Sequence, residues 1–397
     1  MSLQRFNFYI ILLLPAFGVA IGTYIPVLES FGLLALLVSI SILVFGFGIY
    51  KSLSRAILPV LFYYSLFLLY SLVMWSISDQ NIKNTYTIFV LTSYFIVFFV
   101  TATMASPLQR YIHELVTRSG SFSIFFSALF IFTSFSLGSN DPVTPQILLL
   151  FFCIHAAKYK ETADSKELIF MMLCIMASAL TENRMIAIVM GIVFLFASMT
   201  RSHLSEVKAK SLKSKLIWLV IVVLSVCLVV LDGRLLAAFF LGDNAIQVGE
   251  FSLNTAGRAN MWMQIINDPS ISLFFGSGND IPVSIEDERW RHPHNDYLRI
   301  YSRLGVLGLL FFCMFLVALY RSIKQRLIVA KNLKIVICLR AGLYLYFSVI
   351  LMMITDNTLV YPVIMFPSIL FWTAAIITYE PAHKSIVVNN NEVLKIK

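Results

Sequence analysis

Charge is what this chain has least of. Only 13% of its 397 residues are Asp, Glu, Lys or Arg, where a soluble domain carries about a quarter. With 59% apolar residues, there is too little polar surface to cover a water-soluble fold, and that class is excluded. Cysteine is also sparse. Cys153, Cys174, Cys227, Cys313 and Cys338 stand inside apolar runs, at spacings that match no zinc site or disulfide framework, and they read as small buried hydrophobes. Internal repeats, heptads and low-complexity tracts are missing. No small-x-small cleavage site follows the first apolar run, 8–28, so that run reads as a membrane helix and not as a cleaved signal peptide.

What the chain has instead is a series of apolar runs. Residues 31–50 and 216–231 contain no charge, and about 20 such residues cross a hydrocarbon core of roughly 30 Å. Backbone amides in lipid must be satisfied internally, so the expected fold is all-α and polytopic. Twelve spans can be marked: 8–28, 31–50, 56–76, 87–105, 121–138, 143–157, 168–181, 184–200, 216–231, 297–320, 334–354 and 359–378. Alternating their connections from a cytoplasmic amino terminus puts 22 of the 30 basic residues on one side, including Lys158, Lys166 and Arg340, and 8 on the other. That is the asymmetry of an N-in, C-in protein. The net charge of +9 therefore reports topology, and a nucleic-acid partner is excluded because no basic patch faces a soluble groove. The whole chain, 1–397, reads as one membrane domain with a disordered cytoplasmic tail at 379–397.

One connection is unlike the others. It runs from Asp232 to Asp296 and is rich in Asp, Asn, Gly, Trp and Arg, and long loops in compact folds are usually functional or disordered. Within it, Trp262, Ile265 and Ile266 fall at helical offsets, Asp268-Pro269 ends the run, and Gly276-Ser-Gly278 marks a tight turn. A short helix near the membrane surface is expected there. Alternation places this loop outside the cytoplasm, together with Arg184 at one span start and Asp356 at one span end. The segment Arg291-His-Pro-His-Asn-Asp-Tyr-Leu298 leads from the loop into the tenth span. Four scattered polar elements converge on one side, although each alone also fits a snorkelling anchor or an interhelical pair.

These residues resemble a known family, the O-antigen ligase and O-antigen polymerase superfamily of membrane glycosyltransferases. The resemblance rests on Thr181-Glu-Asn-Arg184, on Gly257-Arg258 followed by Trp262, Pro269 and Gly276-Ser-Gly278, and above all on Pro293-His-Asn-Asp-Tyr-Leu298 followed by Gly305-Val-Leu-Gly308. It covers roughly residues 170–320. It implies a GT-C-like fold in a bacterial inner membrane with a periplasmic active site. The implied donor is a glycan on undecaprenyl diphosphate, and the acceptor is a lipid-linked glycan or the lipid A core; a chain-length regulator is a further implied partner. No cofactor is implied. The resemblance associates arginines at these positions with the diphosphate and His294 with catalysis. Arg303 departs from the pattern, since relatives often carry an acid there.

The chemistry of the residues fits the same reading. A guanidinium is always charged and offers a planar fork of donors, which suits a diphosphate better than an ammonium does. Arg184 and Arg258 are the candidate clamp, placed to stabilise the charge that develops on the leaving diphosphate. Histidine changes charge near neutrality, so His294 is a candidate base for the acceptor hydroxyl; the plain alternative is a loop histidine capping the tenth helix. Asp356 is placed to orient His294 or to bind an acceptor hydroxyl, and equally to pair with a structural arginine. Arg299 and Arg303, four residues apart, share one helix face and fit a second phosphate contact or a helix-end anchor. Trp262, Asn295 and Tyr297 are candidate sugar contacts, though aromatics also populate any membrane interface. His292, His294, Asp296 and the acids 286–288 offer metal ligands, but the arginine pair already supplies the positive charge, so no metal is expected. A transporter or lipid-glycan flippase is the rival reading; such proteins bind near the bilayer midplane on broken helices, whereas the polar residues here gather in one external loop.

Overall fold

Every backbone amide that leaves water must find a partner inside the chain, and the described residues meet that demand almost wholly with helices. The computed structural model describes residues 55–78, 82–103, 105–137, 146–180, 184–199, 245–248, 251–254, 258–279, 294–354 and 358–377. After a single 3-10 turn, Arg55–Ile57, come α1 (Leu58–Ile77), α2 (Ile82–Thr103), α3 (Ala105–Leu137), α4 (Ile147–Thr162), α5 (Ser165–Leu180) and α6 (Arg184–Met199). An antiparallel hairpin follows, β1 (Ala245–Val248) with β2 (Phe251–Asn254), pairing Ala245 with Asn254. The chain continues with α7 (Arg258–Asn267), α8 (Asp296–Val329), α9 (Leu333–Met352), a 3-10 turn at Thr358–Val360, and α10 (Pro362–Ile377).

Among the described residues, five helical stretches are long and apolar enough to cross a membrane: Arg55–Ile77, Asn84–Thr103, Leu108–Phe132, Asp296–Val329 and Leu333–Met352. Met185–Ser198 and Pro362–Ile377 are apolar but shorter. The expected spans 8–28, 31–50 and 216–231 lie outside the described residues, so five long spans stand where twelve of all lengths were expected. α4, α5, α6 and α10 have 16 residues each, about 24 Å at 1.5 Å per residue. For α10 this shortness has a reason. All of its residues are buried, and a helix apolar all round belongs in the interior, where no match to bilayer thickness is required. Its neighbour α9 comes close because Gly342 has no side chain; the Trp372 indole donates to the Gly342 carbonyl at 3.1 Å.

Lipid is as apolar as leucine, so close packing and not the hydrophobic effect holds such helices together. Rings do much of this between α1 and α8: Tyr64 meets Phe315 at 5.0 Å between centroids and Phe67 meets Phe312 at 5.2 Å, contacts worth about 0.5–1.5 kcal/mol each beyond burial. The opposite face of α1, with Phe62, Leu69 and Val73, stays exposed.

Two expectations are corrected here. The connection before the expected fifth span is not a loop, since α3 runs unbroken through it. Buried Leu108, Tyr111, Ile112, Leu115 and Val116 repeat at helical spacing, so the segment is an amphipathic helix whose polar face carried its charges. Cys313 is exposed, unlike Cys153, Cys174 and Cys338; it shares the outward side of α8 with Leu310, Met314 and Val317, a surface that needs no covering where the solvent is lipid.

A polar network closes one end of the bundle. Arg340 on α9 pairs with Glu161 on α4 at 2.6 Å, both buried. His155 of α4 lies between Glu167 of α5 and Ser123 of α3, and Lys158 reaches Ser119 at 3.0 Å and Glu167 at 3.5 Å. Losing one member of a buried ion pair typically costs about 3–5 kcal/mol, so this network locks four helices together. Arg340 and Lys158 share this end of the bundle. The end of α9 at Met352, 12 residues beyond Arg340 and so about 18 Å further on, is the opposite end, and the candidate site lies there.

Candidate functional site

α8 is two helices joined by a break. Gly305 has φ 63° and ψ −164° inside it, a conformation open essentially to glycine alone. The break interrupts the helical hydrogen-bond ladder, and residues 273–278 repair it. Ser277 N–H donates to Ser302 O at 2.7 Å and Gly278 N–H to Arg303 O at 2.9 Å, while Val306 N–H and Leu307 N–H donate to Leu273 O at 2.9 Å and Phe274 O at 3.2 Å. Gly276, at φ 77°, lies so close to the Arg303 backbone that a Cβ would clash. The Gly-Ser-Gly turn and Gly305-Val-Leu-Gly308 therefore form one device, a loop backbone laid into a helix break.

The start of α8 is tied down as firmly. Asn295 caps it, its side-chain oxygen accepting from Leu298 N–H at 3.0 Å, as an N-cap asparagine does. Asp296 is fully buried. Its N–H donates to Met353 O at 2.9 Å, and its carboxylate accepts from Leu359 N–H at 2.8 Å. Both flanks of residues 355–357 are thus bonded to one residue, two positions after His294. Asp356 itself lies outside the described residues.

Arg299 and Arg303 do share a face, and it is turned inward against α2. Arg299 is 5% exposed and its Nη2 donates to Thr87 Oγ1 at 2.8 Å; Arg303 is 2% exposed and its Nη2 donates to Asn84 O at 3.3 Å. Asn84 in turn donates its amide to Asn279 Oδ1 at 2.6 Å. Tyr94, wholly buried on α2, lies within electrostatic range of both Asp296 and Arg299. Two guanidiniums and one carboxylate thus lie at the first turns of α8, where the helix dipole adds further positive potential.

The other candidates are distributed around this centre. His294 is partly exposed and adopts a left-handed φ of 47°; since Asn295 supplies the cap, His294 does not. Tyr297 packs on the core and its hydroxyl donates to Ile350 O at 3.3 Å, so it braces α8 against α9. Arg258 opens α7, which rests on α8 through Met261, Ile265, Ile271 and Tyr301, leaving Trp262 partly exposed. Asp268 ends α7 by accepting from Ser270 N–H at 2.8 Å, the turn expected from Asp-Pro-Ser. Arg184 opens α6. The side chains of Arg184 and Arg258, and the whole of His292 and residues 286–288, lie outside the described residues.

Residues 168–313 match the O-antigen ligase family. The match supports the O-antigen ligase and polymerase superfamily, as the motifs implied. No curated protein matches the chain. The O-antigen ligase segment begins in α5, takes in Arg184, Arg258, Trp262 and His294, and ends part-way along α8 beyond Arg299, Arg303 and the break at Gly305. Outside it, the structure adds Asn84, Thr87 and Tyr94 of α2 and the backbone flanking residues 355–357. Sequence reasoning missed these contributors. Asn84 and Thr87 lie more than 200 residues before their arginines, and a lone Asn and Thr at a span start carry no signal of their own.

Proposed function

We propose that this chain is a glycosyltransferase of surface-polysaccharide assembly that moves a glycan from undecaprenyl diphosphate to a saccharide hydroxyl at the periplasmic face of a bacterial inner membrane. The observation that carries this reading is the assembly around Asp296. It gathers the His294 segment, two buried arginines and the flanks of residues 355–357 at one end of the bundle, and most of that assembly falls within the O-antigen ligase match. The reading supported first is a repeat-unit polymerase, whose acceptor is another lipid-linked glycan. The alternative is a ligase that joins the glycan to the lipid A core. Supplying each acceptor with the same donor to the purified protein separates the two. A flippase is less well supported, because the described cations of this cluster lie in the first turns of α8 and not at mid-span.

The proposed reaction is an in-line displacement. The acceptor hydroxyl attacks the anomeric carbon of the donor sugar, His294 takes the hydroxyl proton, and the bond from that carbon to the diphosphate oxygen breaks with inversion. Arg184 and Arg258 compensate the charge gathering on the diphosphate. Arg299 and Arg303, held by α2, supply a fixed positive background; Arg299 is the nearer candidate for a direct contact because it lies one turn closer to the start of α8. Asp356 orients His294, and Trp262 offers a face to a sugar ring.

Arg184→Lys and Arg258→Lys are expected to keep the charge and lose most of the activity, since lysine cannot give a planar bidentate contact. Near-normal glycan assembly by both variants, at normal protein level, would remove the clamp. Transfer by the purified protein is expected to survive chelation; loss in chelator that one specific divalent ion restores would instead make His292, His294 and the acids 286–288 a metal site. For sidedness, a cysteine replacing Ser270 in a cysteine-free chain is expected to react with an impermeant thiol reagent in intact spheroplasts. Protection at Ser270, with labelling of a cysteine placed at Lys331, would turn the topology over.

A further inference from the structure

The loop that repairs the α8 break ends in an apolar tip. Ser272–Gly276 is a tight turn closed by Gly276 N–H donating to Ser272 O at 2.7 Å, and its three central residues, Leu273, Phe274 and Phe275, are 56%, 58% and 54% exposed. Water gives no reason to hold three consecutive large apolar side chains outward on a turn. Part of the tip backbone is bonded within the chain as well. Leu273 O and Phe274 O accept from α8, Phe275 N–H donates to Ser272 Oγ at 3.3 Å, and Ser277 and Gly278 donate into the break. Hydrocarbon demands this internal satisfaction of non-helical backbone, and water does not.

The position of the tip names its surroundings. Leu273 and Phe274 bond to Val306 and Leu307, and Val306 is the first of four exposed apolar residues, with Leu310, Met314 and Val317, that run down the outward side of membrane helix α8. The tip continues that lipid-facing stripe without a polar residue between Leu273 and Phe275. α7, packed on α8 through its inner face, presents Met263 and Ile266 outward as well.

We propose that Leu273-Phe274-Phe275 is a re-entrant lipid-contact site. The tip is sunk below the headgroups of the outer leaflet, its side chains among acyl chains, and it fixes the depth at which the external loop meets the bilayer. The occupant is bilayer phospholipid, argued from the continuity of the tip with the exposed apolar α8 stripe.

Photo-cross-linking of the full-length chain in phospholipid vesicles tests this and needs no substrate, so it is independent of the transferase reading. p-Benzoylphenylalanine is placed at Phe274, at Phe275 and, for comparison, at Leu310 on the α8 stripe. Both tip positions are exposed, so the ring substitution leaves packing intact, and either position suffices. The expected result is a mass gain of one phospholipid per cross-linked chain at the tip, in a yield within about twofold of that at Leu310. Lipid adducts at Leu310 with none at either tip position would overturn the proposal. So would tip adducts to a second copy of the chain or to another protein in place of lipid.

Discussion

His294→Ala is expected to lower turnover by about 10²–10⁴-fold, the usual contribution of a positioned general base, while the protein still binds its lipid-linked donor. Asn295 and not His294 caps α8, so removing the imidazole leaves the helix start intact. His294 does occupy the left-handed region, which alanine tolerates less well than asparagine. His294→Asn is therefore the companion variant: it keeps the backbone and removes the base, and it should lose turnover to the same extent. Arg258→Ala should behave differently. With Arg258 in its proposed clamp role, the change would remove charge that stabilises both bound donor and leaving group, so donor affinity and rate should fall together. Donor binding and product formation, measured on the same solubilised preparations, separate the cases. Full turnover in His294→Asn, or loss of donor binding as complete as in Arg258→Ala, would return His294 to a structural part.

The second large effect is expected from a residue without a side chain. Gly305→Ala forces a Cβ onto a backbone that only glycine adopts readily, at a cost of about 1–3 kcal/mol, and drives that atom into the Phe274 carbonyl, with overpacking adding a similar amount. The variant should unfold at a clearly lower temperature in detergent and accumulate poorly. Val306→Ala, one residue on and exposed, should match the wild type. If Gly305→Ala melted like Val306→Ala, the loop would not be laid into the break as described.

Much of this arrangement was legible in the sequence, and the pattern of what was not has a physical cause. Apolar runs located α1, α2 and α4–α6 within a few residues, because charge is costly inside a bilayer and is kept to the ends of its helices. The short helix at Arg258–Asn267 was visible from apolar spacing and its Asp-Pro stop. Gly276-Ser-Gly278 and Gly305-Val-Leu-Gly308 could both be noticed, yet that they form one structure could not, since a glycine in an apolar helix is ordinarily just tolerated. The amphipathic start of α3 was hidden because its charges resembled a connecting loop. Arg299 and Arg303 were correctly placed on one face, but which way that face turned depended on α2. Pairings across such distances in sequence are settled by packing, and no local pattern reports them.

The break in α8 also bears on the order in which the molecule can be built. Residues 272–278 leave the ribosome before Gly305, so the strip that fills the break is made before the helix it fills. Until the two meet, Val306 and Leu307 present bare amide hydrogens to the bilayer, and Ser302 and Arg303 bare carbonyls. The hydrogen bonding of α8 is therefore completed only when that strip docks. Insertion of this span and docking of the loop become a single step of assembly, and a chain stalled before that step should be marked for degradation by exposed backbone alone.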